Sequence, residues 1–238
     1  LPQMLLPLLF YMPYYPFIYS LHLFFSAQRI ISSTGLCGRF LLYGTDKELP
    51  TSAPLSSNNL LKSFAGESQA KNRYTFFSEV AKKEGYEQIA GIFYETALQE
   101  EMHAKRFFSR LEGGMLEITA AYPAGVILDT ASNLVEAAEG EYDEWHHLYP
   151  EFAKVAEEEG FKDISVMYRM IIEVERNHET RYRKLLSNLQ DGILFERPKT
   201  VKWYCRKCGY VHEGPAAPKV CPACLHPQGF FELLVENY

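Results

Sequence analysis

Cysteine is scarce along most of this 238-residue chain: four of its five cysteines fall between positions 205 and 224, and Cys37 stands alone. A body without paired cysteines cannot be a disulfide scaffold. It suits a reducing compartment, so a cytoplasmic location is expected. An excess of positive charge is also lacking. The formal net charge of −6 argues against a general nucleic-acid binder. Residues 48–195 hold 15 Lys/Arg against 25 Asp/Glu, net −10, whereas residues 196–238 hold 6 against 4, net +2. A mildly basic module therefore follows an acidic body. At 47% hydrophobic and 23% charged residues, the length allows one sizeable domain and a small one.

Residues 1–25 (LPQMLLPLLFYMPYYPFIYSLHLFF) lack charge altogether. Their length would permit a membrane-spanning helix, but Pro2, Pro7, Pro13 and Pro16 make a regular helix expensive. No positive charge precedes the apolar stretch, as a signal peptide would require. The expected reading is an over-extended translation or a disordered tail, with a targeting or membrane segment as the alternative. No role is assigned to Cys37.

What the chain does have is an internal repeat. ETALQEEMHAKR (95–106) places Glu100 and His103 three residues apart, on one face of a helix. EVERNHETR (173–181) repeats that spacing with Glu175 and His178, 75 residues later. Glu84-Gly85-Tyr86 returns as Glu159-Gly160-Phe161, Ile89 as Ile164 and Arg106 as Arg181 at the same offset. Gly66-Glu67 returns as Gly140-Glu141 at an offset of 74, and Tyr74 as Tyr149 at 75. Two copies of one helical hairpin are implied, at about 57–111 and 131–188. Each supplies a lone Glu from its first helix and Glu-x-x-His from its second. That is the ligand inventory of a di-metal carboxylate site inside a four-helix bundle. Such oxygen and imidazole donors suit iron or manganese. Glu144 has no partner in the first copy, where Gln69 or Ala70 stands. It is either a solvated acid or a seventh ligand.

Helix signals place the first helix from a cap at Ser57 or Asn58 to Lys83, and the second from the Gly85 turn to Gly113-Gly114. MLEITAAYPAG (115–125) lacks periodicity and suits a crossover. A third helix is expected from after Pro123 to about Glu159, irregular at Gly140 and Pro150. The fourth is expected from Lys162 to Leu189, closed by Asp191-Gly192.

The second module reads WYCRKCGYVHEGPAAPKVCPACLH (203–226). Cys205-x-x-Cys208 and Cys221-x-x-Cys224 form two knuckles with tetrahedral metal spacing. Zinc and iron both accept four thiolates; the Cys-Gly-Tyr and Cys-Pro-x-Cys flanks favour iron. Trp203, Tyr210, Phe230 and Phe231 are candidates for a small aromatic core sheltering a redox centre.

Together FAGESQAKNRY (64–74), EGYEQIAGIF (84–93), HAKRFF (103–108), LEGG (111–114), YPAG (122–125), LYPEFAKVAEEEGF (148–161) and CRKCGYVHEG (205–214) resemble the rubrerythrin family over about 48–238. The resemblance implies a mainly α chain: a ferritin-like four-helix bundle (48–192), a linker (193–200) and a rubredoxin-like β/metal-knuckle domain (201–238), with residues 1–47 outside. It implies a di-iron site held by Glu67, Glu100, His103, Glu141, Glu144, Glu175 and His178, and a mononuclear iron on Cys205, Cys208, Cys221 and Cys224. One iron of the pair would bind His103 when reduced and move toward Glu144 when oxidised. Tyr74 and Tyr149 would be hydrogen-bond donors to ligand glutamates, or ordinary core tyrosines. The expected function is reduction of hydrogen peroxide in oxidative-stress defence, recharged by rubredoxin or an NAD(P)H-dependent reductase; the alternative is a ferroxidase or iron-storage protein. A knuckle domain at the end of the fourth helix would lie about 17–21 Å along the axis from its own Glu175 and His178. A head-to-tail homodimer would shorten the electron path.

Overall fold

The chain folds as two copies of a helical hairpin that end in the same way. In the computed structural model, which describes residues 54–237, α1 (Leu55–Lys83) and α2 (Glu87–Phe108) form the first hairpin. The second contains α3 (Thr130–Asp143), a π-helical turn (Glu144–Leu148), α4 (Tyr149–Glu158) and α5 (Lys162–Gln190). The uncharged stretch at 1–25 and Cys37 lie outside the described residues. No described helix is long and apolar enough to cross a membrane.

Gly85 and Gly160 take φ of 85° and 87°, and the following N–H groups of Tyr86 and Phe161 reach back to Ala81 O and Ala156 O at 2.8 Å. Each is a Schellman end, which a Cβ would strain. The glutamates just before these glycines are exchanged between the copies. Glu159 accepts the N–H groups of Leu55 and Ser56 at 2.9 Å each, opening α1, and Glu84 accepts that of Thr130 at 3.1 Å, opening α3. Thus α1 begins at Leu55 rather than at a Ser57 or Asn58 cap, because its free N–H groups are served from the far hairpin.

The third helix departs from expectation at its start, while its end at Glu158 and a break near Pro150 agree with it. It starts at Thr130, where the Asp129 side chain accepts the Ser132 N–H at 2.8 Å, rather than just after Pro123. It is also interrupted at Glu144–Leu148, where Tyr149 N–H bonds Glu144 O five residues back. Pro150 has no N–H and its ring crowds the carbonyl four residues earlier, so the preceding turn widens. Gly140 lies within regular helix. The second helix ends at Phe108, short of Gly113-Gly114.

Two apolar cores sit at opposite ends of the bundle. One gathers Tyr74, Phe77, Ile89, Phe93, Leu134 and Tyr182; the other gathers Leu60, Phe107, Tyr149, Tyr168 and Ile171. Between them every long helix carries a buried glutamate.

The C-terminal part is a three-stranded antiparallel sheet of order β2-β1-β3: β1 (Glu196–Cys205), β2 (Val211–Ala216) and β3 (Phe231–Leu233). β1 begins inside the expected linker, and its pairing with β2 is irregular between Glu196 and Val201. Trp203 and Phe231 are buried together with Cys205 and Cys221, and Tyr210 and Phe230 flank them. This sheet docks on the bundle at the first Schellman turn. A Cβ on Gly229 would stand 1.9 Å from Gly85 O, and one on Gly91 would stand 2.5 Å from the Arg206 guanidinium.

Candidate metal centre

The helix period carries the acids inward. Along α1 the buried positions run Leu60, Ser63, Glu67, Ala70, Tyr74; along α2 they run Phe93, Thr96, Ala97, Glu100, Ala104, Phe107. α5 buries Ile171, Glu175, His178 and Tyr182 on one stripe, and α3 ends its own with Glu141. Glu67, Glu100, Glu141 and Glu175 are all fully buried. Four carboxylates in an apolar interior are untenable without compensating charge.

Two groups of donor atoms form there, each within 4.8 Å: Glu67, Glu100, His103 and Glu175, and Glu100, Glu141, Glu175 and His178. Glu100 and Glu175 belong to both. His103 Nδ1 lies 2.9 Å from Glu175 Oε1; His178 Nδ1 lies 2.9 Å from Glu175 Oε2 and 3.0 Å from Glu100 Oε1. Yet neither Glu175 oxygen, nor Glu100 Oε1, nor His178 Nδ1 has a partner in hydrogen-bond geometry. Apart from His103 Nδ1, which meets Glu100 Oε2 in a 2.9 Å hydrogen bond, these atoms crowd together without pointing at one another, as donors aimed at common centres do. Four glutamates also match the charge of two divalent ions. The carboxylate and imidazole donors fit iron.

The surroundings hold these ligands in place. Tyr74 OH donates to Glu141 Oε1 and Tyr149 OH to Glu67 Oε1, both at 2.6 Å. Each tyrosine serves a glutamate of the other copy, which fixes a free carboxylate oxygen toward the centre. Gln99 Oε1 lies 3.0 Å from His178 Nε2, and an Nε2–H donated there leaves Nδ1 its lone pair. Gln99 was not singled out from the sequence; its only signal is its place beside Glu100.

Protonation in the metal-free site follows from burial and crowding. Burial pushes Glu141 up to about 8, with Glu100 and Glu175 adding to the rise. Burial, then the charges of Glu144, Glu100 and Glu175, hold Glu67 well above the usual carboxylate range. Burial of Glu100 is outweighed by its bond to His103 and by the nearby imidazole of His178, leaving it at about 2. For His103 burial is likewise outweighed, by Glu100 and Glu175, and its imidazolium persists to about 10.

Glu144 stands apart from both groups. It opens the π-helical turn, half-buried, on the inner wall of a groove of about 730 Å³ that Tyr149 also lines. Burial of its carboxyl, then Glu141, pushes it well above the usual range.

In the C-terminal domain the four sulfurs, one at the end of β1 and three on the loops around it, lie within 4.8 Å of one another, with Cys205 to Cys224 at 3.8 Å and Cys208 to Cys221 at 3.7 Å. None is in a disulfide. A tetrahedron with metal–sulfur bonds of about 2.3 Å has edges of about 3.8 Å. Four thiolates so arranged fit a mononuclear iron.

The family model for rubrerythrin matches residues 58–186, and that for the rubrerythrin rubredoxin-like domain matches 203–232. This chain belongs to the rubrerythrin family. It is similar to rubrerythrin of Porphyromonas gingivalis, 61% identical over 77% of this chain and 92% of that protein, and to that of Nitratidesulfovibrio vulgaris, 51% identical over 77% and 96%. Among solved structures, nigerythrin in its fully reduced, all-ferrous state overlays with a TM-score of 0.52 at 29% identity, covering 79% of this chain and 91% of that one. The fold is thus a ferritin-like bundle with a rubredoxin-like domain, as the sequence resemblance implied. Rubrerythrins are oxidoreductases.

Proposed function

We propose that this chain reduces hydrogen peroxide to water in the cytoplasm, in defence against oxidative stress. The observation that carries the reading is the sharing of Glu100 and Glu175 between two carboxylate–histidine groups, in a chain that also brings four thiolates together. Glu67, Glu100, His103, Glu141, Glu144, Glu175 and His178 are the proposed di-iron ligands, and Cys205, Cys208, Cys221 and Cys224 hold the single iron. When bound, the iron pair supplies two electrons to the O–O bond, and the cysteine-bound iron is the route by which an external rubredoxin or NAD(P)H-dependent reductase replaces them. The chain's own residues position and protonate. Tyr74 and Tyr149 anchor Glu141 and Glu67, and the two histidines stay fixed by their carboxylate neighbours. Glu144, the one member of the proposed set that lines the groove, is placed to accept or return a proton there as oxygen departs.

A head-to-tail homodimer belongs to the same reading. Tyr94, Leu98 and Met102 form an exposed stripe on α2, and Val166, Met170 and Val174 form one on α5, at four-residue spacing. Arg181 and Glu95, paired at 3.0 Å, tie the two helices together. Such apolar stripes ask to be covered, and the net charges of the two domains are opposite.

Iron-loaded protein should be red from its ferric thiolate site and should consume peroxide when given a reductase. No consumption with both sites filled would sink the proposal. Faster reoxidation of the reduced protein by dioxygen than by peroxide would favour the ferroxidase or iron-storage alternative.

A further inference from the structure

The groove beside Glu144 is far larger than hydrogen peroxide needs. A water occupies about 30 Å³ in the liquid, so a molecule with two oxygens fills less than about a tenth of the groove's 730 Å³. Its roof is the irregular crossover, with Ala120, Ala121, Tyr122 and Pro123 facing it. Leu148 and Phe152 add apolar wall near the Glu144 and Tyr149 end. The roof is pinned: Gln69 Nε2 donates to Pro123 O at 3.1 Å, and Tyr122 OH donates to Lys62 O at 2.9 Å. The space is therefore preformed, as small-molecule sites are. Two polar atoms of its lining side chains, Gln69 Oε1 and Arg73 Nε, are buried without a hydrogen-bond partner among the described residues. One accepts and the other donates, so the groove can pair a hydroxyl, such as that of the alcohol product, as well as cover apolar surface.

We propose that this groove seats the organic group of a neutral alkyl or aralkyl hydroperoxide, so that the substrate class extends beyond hydrogen peroxide. The inference rests on the peroxidase reading. Per molecule the O–O bond breaks, two electrons from the ferrous pair and two protons are taken up, and one alcohol and one water leave. The electrons come from the same one-electron protein donor. Glu136, Glu139, Asp143 and Glu151 stand around the groove against Lys62 and Arg73. Glu136 is paired with Arg73 and Glu139 with Arg183, so Asp143 and Glu151 leave the mouth mildly acidic, which disfavours hydroperoxides that carry a carboxylate, such as those of fatty acids.

The test has a binding arm and a turnover arm. In the metal-free protein, ligand-observed NMR should detect 2-phenyl-2-propanol, the alcohol product of cumene hydroperoxide, and Ala121→Trp should abolish its signal. Ala121 is exposed on the irregular crossover, so the fold tolerates the change. In the iron-loaded protein, kcat/KM for cumene hydroperoxide should exceed that for linoleate hydroperoxide. Ala121→Trp should lower the ratio of cumene hydroperoxide to hydrogen peroxide turnover about tenfold or more. Absence of alcohol binding to the wild type, or an equal effect of Ala121→Trp on both peroxides, overturns the inference while hydrogen peroxide turnover leaves the peroxidase reading standing. If neither peroxide is reduced, the peroxidase reading falls and takes this one with it.

Discussion

His103 and Glu141 make the metal-free protein sensitive to alkali. The raised His103 contributes stability that is complete below its ordinary value of 6.5 and is lost as pH climbs toward about 10. Glu141, raised from 4.5 to about 8, acts in the same direction, because the folded chain holds a proton that the unfolded one releases over that window. Glu100 titrates near 2 and lies outside the window. The melting temperature of metal-free protein should fall between pH 5 and pH 10, by about 2–4 °C for each kcal/mol lost in a chain of this size. Iron loading, which replaces protons as the compensating charge, should flatten the profile. Differential scanning fluorimetry with and without iron decides this. The two residues that differ most in position, His103 inside the cluster and Glu144 at its edge, give a second expectation. His103→Ala should weaken ferrous loading by more than the about 10–100-fold that outer partners carry. Glu144→Ala should spare ferrous loading and impair the ferric state. Identical losses of iron in both redox states would remove the ligand-switch idea.

Among the elements, the π-helical turn shows what the sequence held and what was overlooked in it. Glu67 and Tyr74 are seven residues apart, Glu141 and Tyr149 eight, so the repeat offset changes from 74 to 75 within one helix. One inserted residue is what a π-turn accommodates, and it falls at Glu144, the acid without a counterpart. The two Glu-x-x-His pairs, the lone glutamates and the hairpin ends were all legible, because each follows from local periodicity or from a glycine at positive φ. The start of α1 was not, because its cap comes from Glu159, 104 positions away, and the start of α3 was only partly so, since Glu84, 46 positions away, supplements the local Asp129 cap. Docking of the sheet on the bundle was equally hidden, being a matter of backbone approach. Gly229→Ala should push the rubredoxin-like domain off the Gly85 turn, since the new methyl group meets a carbonyl oxygen rather than a yielding side chain. Limited proteolysis should then cut near residues 191–196 faster than in wild type, with the red colour of the iron-loaded domain retained. Unchanged cleavage would mean the turn can shift to admit the methyl.

At the scale of the whole molecule, the question is which di-iron site each rubredoxin-like domain serves. Cys205→Ser with Cys208→Ser removes one centre, and Glu100→Gln with Glu175→Gln removes the other. Neither variant alone should reduce peroxide. In the proposed homodimer, dissociation and random reassociation make half the dimers mixed, each with one of two crossed routes intact, so about a quarter of wild-type activity should return if electrons pass between chains. Mixed dimers that form and stay inactive would place the transfer within one chain.

The exchange of Glu84 and Glu159 between hairpins has a consequence for what counts as one folding unit. Each half of the bundle holds an acceptor for the first helix of its sibling: Glu159 serves all of the side-chain capping of α1, and Glu84 adds to the Asp129 cap of α3. The same reciprocity governs Tyr74 and Tyr149, which tether glutamates across the divide. The halves therefore behave as interlocking strangers rather than as tandem modules. A chain severed in the exposed crossover between residues 112 and 129 should remain a single particle on gel filtration. The two pieces, expressed separately, should each be poorly helical by circular dichroism and recover helix on mixing.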